Sequence, residues 1–302
     1  MYILPDGIDL NNLIENIKVF SWRSADILQN YSEKMRNLNF REKALNVIDN
    51  NDPVTEADLE VNDQIVNNIK EKYPNIEWQF LTEENVKRGS NSLNSYSDWL
   101  WILDPLDGTK DFIQGTGNYA MHLALTYKQK SDIGFVLIPE RDELWIANGQ
   151  NICCERRDRS LLEPNLSSKQ NLHEMVLVTS KNHKNKILSR LIEKINFKDV
   201  KEMGSVGCKI SSILRGESDI YISLSIPGQS SPKDWDFAAP EAILKAAGGA
   251  VTNLNNEELT YGELNYEKGG IIVASNDRKY HRNICFKLKK IIEENNIYPF
   301  KT

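Results

Sequence analysis

Two helices followed by a series of strands are predicted by the hydrophobic pattern of the first half of the chain. Apolar residues recur at steps of three and four over residues 10–28 and again over 59–69, which is the spacing of an amphipathic helix. We expect the second helix to end at Tyr73, because Pro74 disfavours the helical conformation in the residue before it. Beyond Pro74 alternation and short apolar runs predict strands over 76–81, 99–103, 121–127, 134–138 and 144–147.

The second half, which begins near Leu161, alternates between strand-like and helix-like segments. Its Ala-rich helix is predicted to end at Gly248-Gly249, because glycine favours helix ends. The pattern therefore predicts an α/β protein with an α+β first half, residues 1–160, that carries most of the candidate ligands and an α/β second half, residues 161–302, that completes the site. The predicted strands here are 175–179, 220–223 and 271–274, and the predicted helices are 184–195, 205–214, 237–247 and 282–294.

Composition and charge narrow the class of protein. Of the 302 residues 40% are hydrophobic and 26% are charged, as in an ordinary globular protein, and the formal net charge of -6 argues against a nucleic-acid polymer as partner. No apolar run approaches the roughly 18 residues of a membrane span, and the N-terminus does not resemble a secretion signal. The four cysteines lack the spacing of a zinc site. We therefore expect a cytoplasmic protein with reduced thiols, a small-molecule partner and no membrane partner.

The segment WILDPLDGT at 101–109 carries the most chemical information. It places two carboxylates and a hydroxyl directly after an apolar strand, where Pro105 and Gly108 turn the backbone and expose the carbonyl of Leu106. Carboxylate and carbonyl oxygens are the ligands that Mg²⁺ prefers, with its other positions left to water and substrate phosphate. The alternative is a capped loop, since Asp and Gly also favour turns for local reasons.

Two further acidic sites favour the metal interpretation. Another apolar segment ends in Glu83-Glu84, and Asp236 directly precedes the helix predicted over 237–247. The ends of such elements can meet at the ligand-binding edge of an α/β sheet. Without a metal, carboxylates clustered there would repel one another and raise one another's pKa values. These residues therefore predict a metal site held by carboxylates.

Four segments of the chain resemble the lithium-sensitive magnesium phosphatase superfamily, which includes inositol monophosphatases and 3'(2'),5'-bisphosphate nucleotidases. They occur in the order found in that family, and together they span most of the chain. The segments are DPVTEAD at 52–58, the pair Glu83-Glu84, WILDPLDGT at 101–109, and WDFA at 235–238 followed by Gly-Gly at 248–249.

Within the superfamily, three segments look more like the nucleotidases. The block KDWDFAAPE at 233–241 is similar to the nucleotidase pattern, whereas inositol monophosphatases more often have Ala-Gly in place of Ala-Pro-Glu. TSKNH at 179–183 and GSVGCK at 204–209 resemble nucleotidase segments that carry a histidine and a lysine. The chain departs from the pattern at Thr82, where relatives commonly have Gly or Ser, and we expect no effect of this difference on metal binding.

The resemblance implies a fold, a cofactor and a set of ligands. The expected fold is a layered αβαβα sandwich of the sugar-phosphatase type, with the site between the two halves. The expected cofactor is Mg²⁺, as two or three ions. Glu83, Asp104 and the Leu106 carbonyl are expected to bind one ion, and Asp104, Asp107 and Asp236 a second, so that Asp104 bridges them.

The resemblance also implies roles for residues around the metals. Thr109 and Asp58 are expected to take the proton of the attacking water, although helix capping is the competing interpretation of both residues. The amides of Gly108 and Thr109 are expected to hold the phosphate, and Glu84 to support the metal ligands. His122 is interpreted as a core residue, and no role is assigned to His173 and His281. The expected substrate contacts are Gly108, Thr109, His183, Ser205, Lys209 and Asp236.

The function expected from this resemblance is a magnesium-dependent phosphomonoesterase in which a metal-activated water hydrolyses 3'-phosphoadenosine 5'-phosphate to AMP and phosphate. An inositol monophosphatase, a sugar bisphosphatase and, less in keeping with the full ligand set, a non-catalytic metabolite sensor are the alternatives. Haloacid-dehalogenase phosphatases use D-x-D-G-T with a covalent nucleophile, and the spacing of Asp104 and Asp107 does not match that motif. Relatives occur as monomers and homodimers, and lithium inhibition is a family expectation.

Overall fold

The structure is a computed structural model, and it describes residues 4–36, 56–89, 98–149, 151–181, 186–226 and 228–297. The helices of this part of the chain are α1 (Leu10–Arg36), α2 (Glu56–Lys72), α3 (Glu83–Lys87), α4 (Thr109–Gln114), α5 (Lys186–Ile195), α6 (Val206–Leu214), α7 (Asp234–Ala246) and α8 (Arg278–Glu294). The strands are β1 (Gln79–Thr82), β2 (Trp99–Asp107), β3 (Ala120–Tyr127), β4 (Lys130–Ile138), β5 (Glu143–Asn148), β6 (Ile152–Glu155), β7 (Leu161–Leu162), β8 (Val176–Ser180), β9 (Asp199–Met203), β10 (Ile220–Leu224), β11 (Ala250–Asn253) and β12 (Ile271–Ser275).

The first sheet has seven strands in the order β1-β2-β3-β4-β5-β6-β7. β1 and β2 pair in parallel, and each later pair is antiparallel, as short connections between successive strands require. The register of β2 against β3 shifts between Asp104 and Asp107, where Pro105 has no N–H to donate to the ladder. Such an irregularity bends a strand, and here it lies between two of the predicted metal ligands.

The second sheet has five strands in the order β11-β12-β10-β8-β9. β8 pairs in parallel with both β9 and β10, and β12 pairs antiparallel with both β10 and β11. Helices α5 and α6 lie in the connections between the parallel strands. The second half is therefore a mixed α/β unit, as the alternation of segments predicts.

Three apolar cores separate five layers. The first lies between helices α1 and α2 and one face of the seven-stranded sheet, which contributes Trp101 and Leu103. The second contains Ile102 from the opposite face of that sheet, residues of α6 and α7 such as Phe237, and Tyr221 from the five-stranded sheet. The third packs the far face of the five-stranded sheet against α5 and α8. This order of helix, sheet, helix, sheet and helix confirms the predicted αβαβα sandwich.

Three helices begin earlier than the apolar pattern predicts. α7 begins at Asp234, so Asp236 lies inside its first turn instead of directly before the helix. α2 begins at Glu56, which places Asp58 within the helix and excludes it as an N-cap of a helix at Leu59. α8 begins at Arg278 after the N-cap Asp277. The first turns of these helices carry charged residues beside the apolar ones, so hydrophobic periodicity does not mark where they begin.

Several short elements have no counterpart in the predicted pattern, namely α3, α4, β6, β7, β9 and β11. β9 is an edge strand of sequence DVKEM, and its polar composition hides it from a search for apolar runs. The predicted boundary after residue 160 falls between β6 and β7, which both belong to the first sheet, and the division into subdomains stays a prediction. All four cysteines are free. No helix in the described ranges is long and apolar enough to cross a membrane.

Candidate metal centre and active site

The end of β2 fixes two of the predicted ligands. Asp104 is 2% exposed, and its Oδ1 accepts a hydrogen bond of 3.1 Å from the backbone N–H of Leu106. The carbonyl of Leu106 accepts the Thr109 hydroxyl at 3.1 Å. Local hydrogen bonds therefore stabilise the Asp-Pro-Leu-Asp turn, and its carboxylates are buried.

Gly108 makes the turn possible. It caps α4 with a left-handed backbone, φ +87°, which glycine adopts without the steric penalty of a side chain. A Cβ at this position would lie 2.8 Å from the carbonyl oxygen of Asn118 and 3.1 Å from the backbone nitrogen of Ser205. The absence of a side chain thus lets the N-terminus of α6 approach the end of β2.

That approach gives Asp107 its main partners. Ser205 is the N-cap of α6, and its hydroxyl donates to Asp107 Oδ2 at 2.7 Å. The backbone N–H of Val206 donates to the same oxygen, and that of Gly207 does so at 3.4 Å. The N-terminus of a helix favours an anion because its N–H groups are free and its dipole is positive. The fold therefore fixes the orientation of Asp107 from a segment almost a hundred residues away.

Asp236 comes from the first turn of α7. Its Oδ2 accepts the backbone N–H of Lys233 at 2.6 Å, which satisfies one of the free N–H groups at the start of the helix. One oxygen from each of Asp104, Asp107 and Asp236 lies within 4.8 Å of the other two. Since each carboxylate also accepts a backbone N–H, the three are held in place while retaining oxygen atoms for an ion.

The predicted pair Glu83-Glu84 opens α3, directly after β1. Thr82 caps the helix by accepting the N–H of Asn85 at 3.0 Å. Lys87 bridges the two acids, with its Nζ 2.8 Å from Glu83 and 3.2 Å from Glu84. Glu84 is 1% exposed, whereas Glu83 is only partly buried. This arrangement leaves Glu83 the more accessible of the two, and its role as a metal ligand stays a prediction.

The titration behaviour of these acids reflects their convergence. Burial raises the pKa of Asp104 well above its ordinary value, and four neighbouring carboxylates raise it further. These neighbours are Glu83, Asp107, Asp236 and Asp58. Burial, followed by the charge of Asp107, also raises the pKa of Asp236 to about 8. These five acids, which come from four segments of the chain, therefore lie near one another.

The donor set fits a divalent cation. All the groups are hard oxygen ligands, which suit Mg²⁺, and the cluster holds more negative charge than it can keep ionised alone. A bound divalent ion would offset that repulsion and restore the carboxylates to their charged form. The assignment of individual residues to individual ions stays a prediction.

Some of the residues predicted to act on water and substrate interact with the acidic cluster or with the turn after β2. Asp58 is 1% exposed within α2. Thr109 is the first residue of α4, and its hydroxyl donates to Leu106 rather than serving as the N-cap, a position that Gly108 takes. The hydroxyl of Ser205 is already shared between Asp107 and the N–H of Cys208. His183 lies outside the described residues.

Lys209 lies within the fold instead of forming a solvated surface charge. It is 1% exposed, its Nζ donates to the carbonyl of Gly204, and it lies 5.2 Å from the centre of the Tyr221 ring. Burial lowers the pKa of Lys209, while the nearby charges of Asp107 and Asp236 raise it. A buried lysine thus lies beside the acidic cluster.

His122 is a residue of the site that the sequence pattern did not reveal. It is buried, as expected of a core residue, but its Nε2 lies 3.3 Å from Asp107 Oδ2 and its Nδ1 lies 3.2 Å from the Trp235 carbonyl oxygen. A Cβ on Gly207 would lie 2.3 Å from His122 Nε2, so the glycine makes room for the ring. No spacing signal links these positions, because β3 and α6 are brought together only by the tertiary fold.

Comparisons with known proteins are consistent with this geometry. The profile of the inositol monophosphatase family matches residues 9–293. A 3'(2'),5'-bisphosphate nucleotidase CysQ from Buchnera aphidicola is 31% identical over 218 residues, which cover 72% of this chain and 75% of the relative. A Nus factor SuhB from Vibrio cholerae is 30% identical over 236 residues, which cover 76% of this chain and 79% of the relative.

Solved structures have the same fold. An inositol monophosphatase from Anabaena superposes with a TM-score of 0.70 at 21% identity, covering 97% of this chain and 98% of the other. Inositol monophosphatase II from Staphylococcus aureus superposes with a TM-score of 0.68 at 25% identity, covering 91% and 94%.

Proposed function

Since the chain belongs to the inositol monophosphatase family and is a magnesium-dependent phosphatase of that family, we propose that it is a 3'(2'),5'-bisphosphate nucleotidase. The proposed reaction is hydrolysis of 3'-phosphoadenosine 5'-phosphate to AMP and phosphate. Relatives named as nucleotidases and relatives named SuhB are similarly distant, so family membership leaves the substrate open. The choice among substrates rests on the residues around the acidic cluster.

The observation that carries the proposal is the buried cation beside the metal ligands. A substrate with two phosphate groups places a second dianionic group near the metals, which are occupied by the first. Protonated Lys209 would supply positive charge for this second phosphate. Its Nζ lies over the Tyr221 ring, and it interacts electrostatically with Asp107 and Asp236. The block KDWDFAAPE at 233–241, which places Asp236 in the site, also resembles the nucleotidases. Inositol 1-phosphate has no second phosphate that would need this charge.

The proposed ligands of Mg²⁺ are Glu83, Asp104 and the Leu106 carbonyl for one ion, and Asp104, Asp107 and Asp236 for a second. Bound Mg²⁺ supplies Lewis acidity, which polarises a phosphate and lowers the pKa of water. Glu84 reaches Glu83 through the ammonium group of Lys87, and so it helps to set the orientation of that ligand.

The chain's own groups would position the substrate and move the proton. The hydroxyl of Thr109 donates its hydrogen to the Leu106 carbonyl, so its oxygen can accept a hydrogen bond from the attacking water, and Asp58 is the proposed acceptor of that water's proton. The amides of Gly108 and Thr109 at the start of α4 are the proposed donors to the phosphate oxygens. His183 and Ser205 stay proposed contacts of the nucleotide, with Ser205 also holding Asp107.

The first test is phosphate release from 3'-phosphoadenosine 5'-phosphate, inositol 1-phosphate and fructose 1,6-bisphosphate in parallel, with Mg²⁺ and then with EDTA. We expect the nucleotide to have the highest kcat/KM, and EDTA and Asp104→Asn to abolish release. Asp63→Asn is the matched control, because that carboxylate is exposed and contacts the side-chain amide of Asn62 at 2.9 Å and Arg88 at 3.6 Å. A higher kcat/KM for inositol 1-phosphate would reject the nucleotide assignment while keeping the chemistry.

Lys209→Met tests whether the charge of Lys209 favours a substrate with a second phosphate group. The variant keeps the length of the side chain and removes its charge, so we expect KM for the bisphosphate to rise about tenfold or more, as loss of one charged contact implies. For inositol 1-phosphate we expect a smaller change. Equal losses on both substrates would show that Lys209 has only a structural role.

A further inference from the structure

A cavity of about 290 Å³ lies at the C-terminal end of α7. Its walls come from α7, β11 and the first turns of α8, and they include Lys245, Thr252 and His281. Lys245 follows Asp236 by nine residues on α7, which at 1.5 Å per residue places it about 13 Å further along the helix axis. The cavity is therefore separate from the acidic cluster.

Two arginines give this cavity its chemical character. Arg278 and Arg282 both line it, and they lie four residues apart on α8, so their side chains leave the same face of the helix. Neither guanidinium forms an ion pair with any residue in the ranges that the structure describes. Lys245 adds a third cation, although its Nζ is also 3.0 Å from Asp132.

The acidic residues of the lining offset only part of this positive charge. Glu258 already pairs with Lys130 at 2.7 Å, and that hydrogen bond lowers its pKa, as do the charges of Lys245 and Arg278. Glu241 accepts the hydroxyl of Tyr261, and burial raises its pKa to about 7, so it carries only part of its charge at neutral pH.

The cavity also has an ordered polar wall. The Nε2 of His281 lies 2.7 Å from the Thr252 hydroxyl, and its Nδ1 lies 2.7 Å from the Ser275 hydroxyl. Burial lowers the pKa of His281 to about 4, so the ring is neutral near pH 7. A neutral imidazole bonded on both sides fixes the hydroxyl of Thr252 at the wall of the cavity.

We propose that this cavity binds a phosphate-bearing anion, with Arg278 and Arg282 as its principal ligands and Lys245 as a supporting charge. The planar guanidinium group matches the oxygen atoms of a phosphate in pairs, and two such groups one turn apart can hold one phosphate. The volume is at the lower end of small-molecule sites, which fits free phosphate or a nucleoside monophosphate. The site is independent of the proposed nucleotidase activity.

The test uses the full chain carrying Asp104→Asn in EDTA, so that the metal centre cannot bind phosphate through an ion. Isothermal titration calorimetry with inorganic phosphate and, separately, with AMP measures binding. We expect binding of at least one probe, and a loss of tenfold or more in affinity when Arg278→Gln and Arg282→Gln are added. Lys279→Gln is the matched control, because Lys279 lies between the two arginines in sequence but does not line the cavity.

Binding of phosphate but not AMP would identify the free anion as the ligand, and binding of AMP alone would identify a phosphomonoester; both outcomes support the site. No measurable binding of either probe at millimolar concentration would overturn it. So would an affinity that is unchanged in the double arginine variant, or lost equally in Lys279→Gln. The melting temperature of each variant without probe shows whether it is folded.

Discussion

Replacing Asp236 with Asn should make the metal-free protein more stable, although it removes a metal ligand. Asn keeps the oxygen that accepts the Lys233 N–H at 2.6 Å, so the start of α7 is retained. What it removes is a carboxyl whose pKa rises from 3.8 to about 8 on folding, chiefly through burial and then through Asp107. The change thus isolates the electrostatic cost of the cluster.

The sign and size of this effect follow from linkage. A carboxyl whose pKa is higher in the folded than in the unfolded protein destabilises the fold once the pH exceeds its unfolded pKa of 3.8. The destabilisation grows until the pH passes the folded pKa of about 8. A pH of 7 lies about three units above the unfolded pKa of 3.8. At about 1.36 kcal/mol per unit, Asp236 therefore destabilises the metal-free fold by at most about 4 kcal/mol. With an unfolding entropy of about 2.1 cal/mol/K per residue, this corresponds to as much as roughly 6 °C in melting temperature.

The assay is thermal unfolding of wild type and Asp236→Asn in EDTA at pH 5 and pH 7.5, followed by a Mg²⁺ titration. We expect the variant to melt at the higher temperature in EDTA, with a larger difference at pH 7.5. Mg²⁺ should then raise the melting temperature of wild type more than that of the variant, because ligand binding stabilises only the state that binds it. Asp63→Asn should show neither effect.

A variant that melts below wild type in EDTA, or a difference that does not change with pH, would refute the reasoning. The first result would mean that Asp236 stabilises the apo fold, and the second that its charge does not oppose folding.

Three further predictions test other parts of the structure. His122→Leu should raise the Mg²⁺ concentration for half-maximal phosphate release by about tenfold or more, since groups that orient metal ligands have effects of this size, whereas His122→Gln, which keeps a polar side chain at this position, should have a smaller effect; equal behaviour of the two would rule out an orienting polar contact with Asp107. Gly108→Ala should lower the free energy of unfolding, measured in urea, by about 1–3 kcal/mol, because the new Cβ would strain a left-handed backbone and clash with the Asn118 carbonyl. Gly115→Ala should lower it by less, because its backbone is also left-handed but a Cβ there meets nothing within 4 Å. Glu241→Gln, measured in saturating Mg²⁺, should raise the melting temperature more at pH 8 than at pH 5, because a folded pKa near 7 opposes folding only above the ordinary value of 4.5; a constant difference would show that Glu241 is not the titrating group.

The sequence alone determines the order of the main elements and the chemistry of the β2 turn. Apolar periodicity predicts α1, α2 and strands β2 to β5, because each buries a face whose spacing is local to the chain. The turn Asp104-Pro105-Leu106-Asp107-Gly108 is likewise local, and Gly108 takes the left-handed conformation that its residue type allows. The four family segments, which are also local stretches of sequence, predict the fold and the candidate ligands.

Tertiary structure decides how these local pieces meet. The fold brings Ser205 and His122 onto one oxygen of Asp107, and it buries Lys209 beside the acids instead of exposing it. It also forms the cavity at Arg278 and Arg282 by packing α8 beside α7 and β11. Hydrogen bonding and burial act between atoms that are close in space, whereas sequence periodicity reports only which face of an element is apolar. Packing across the two sheets and the helices between them therefore decides how the carboxylates and their hydrogen-bond partners are arranged and where the cavity forms.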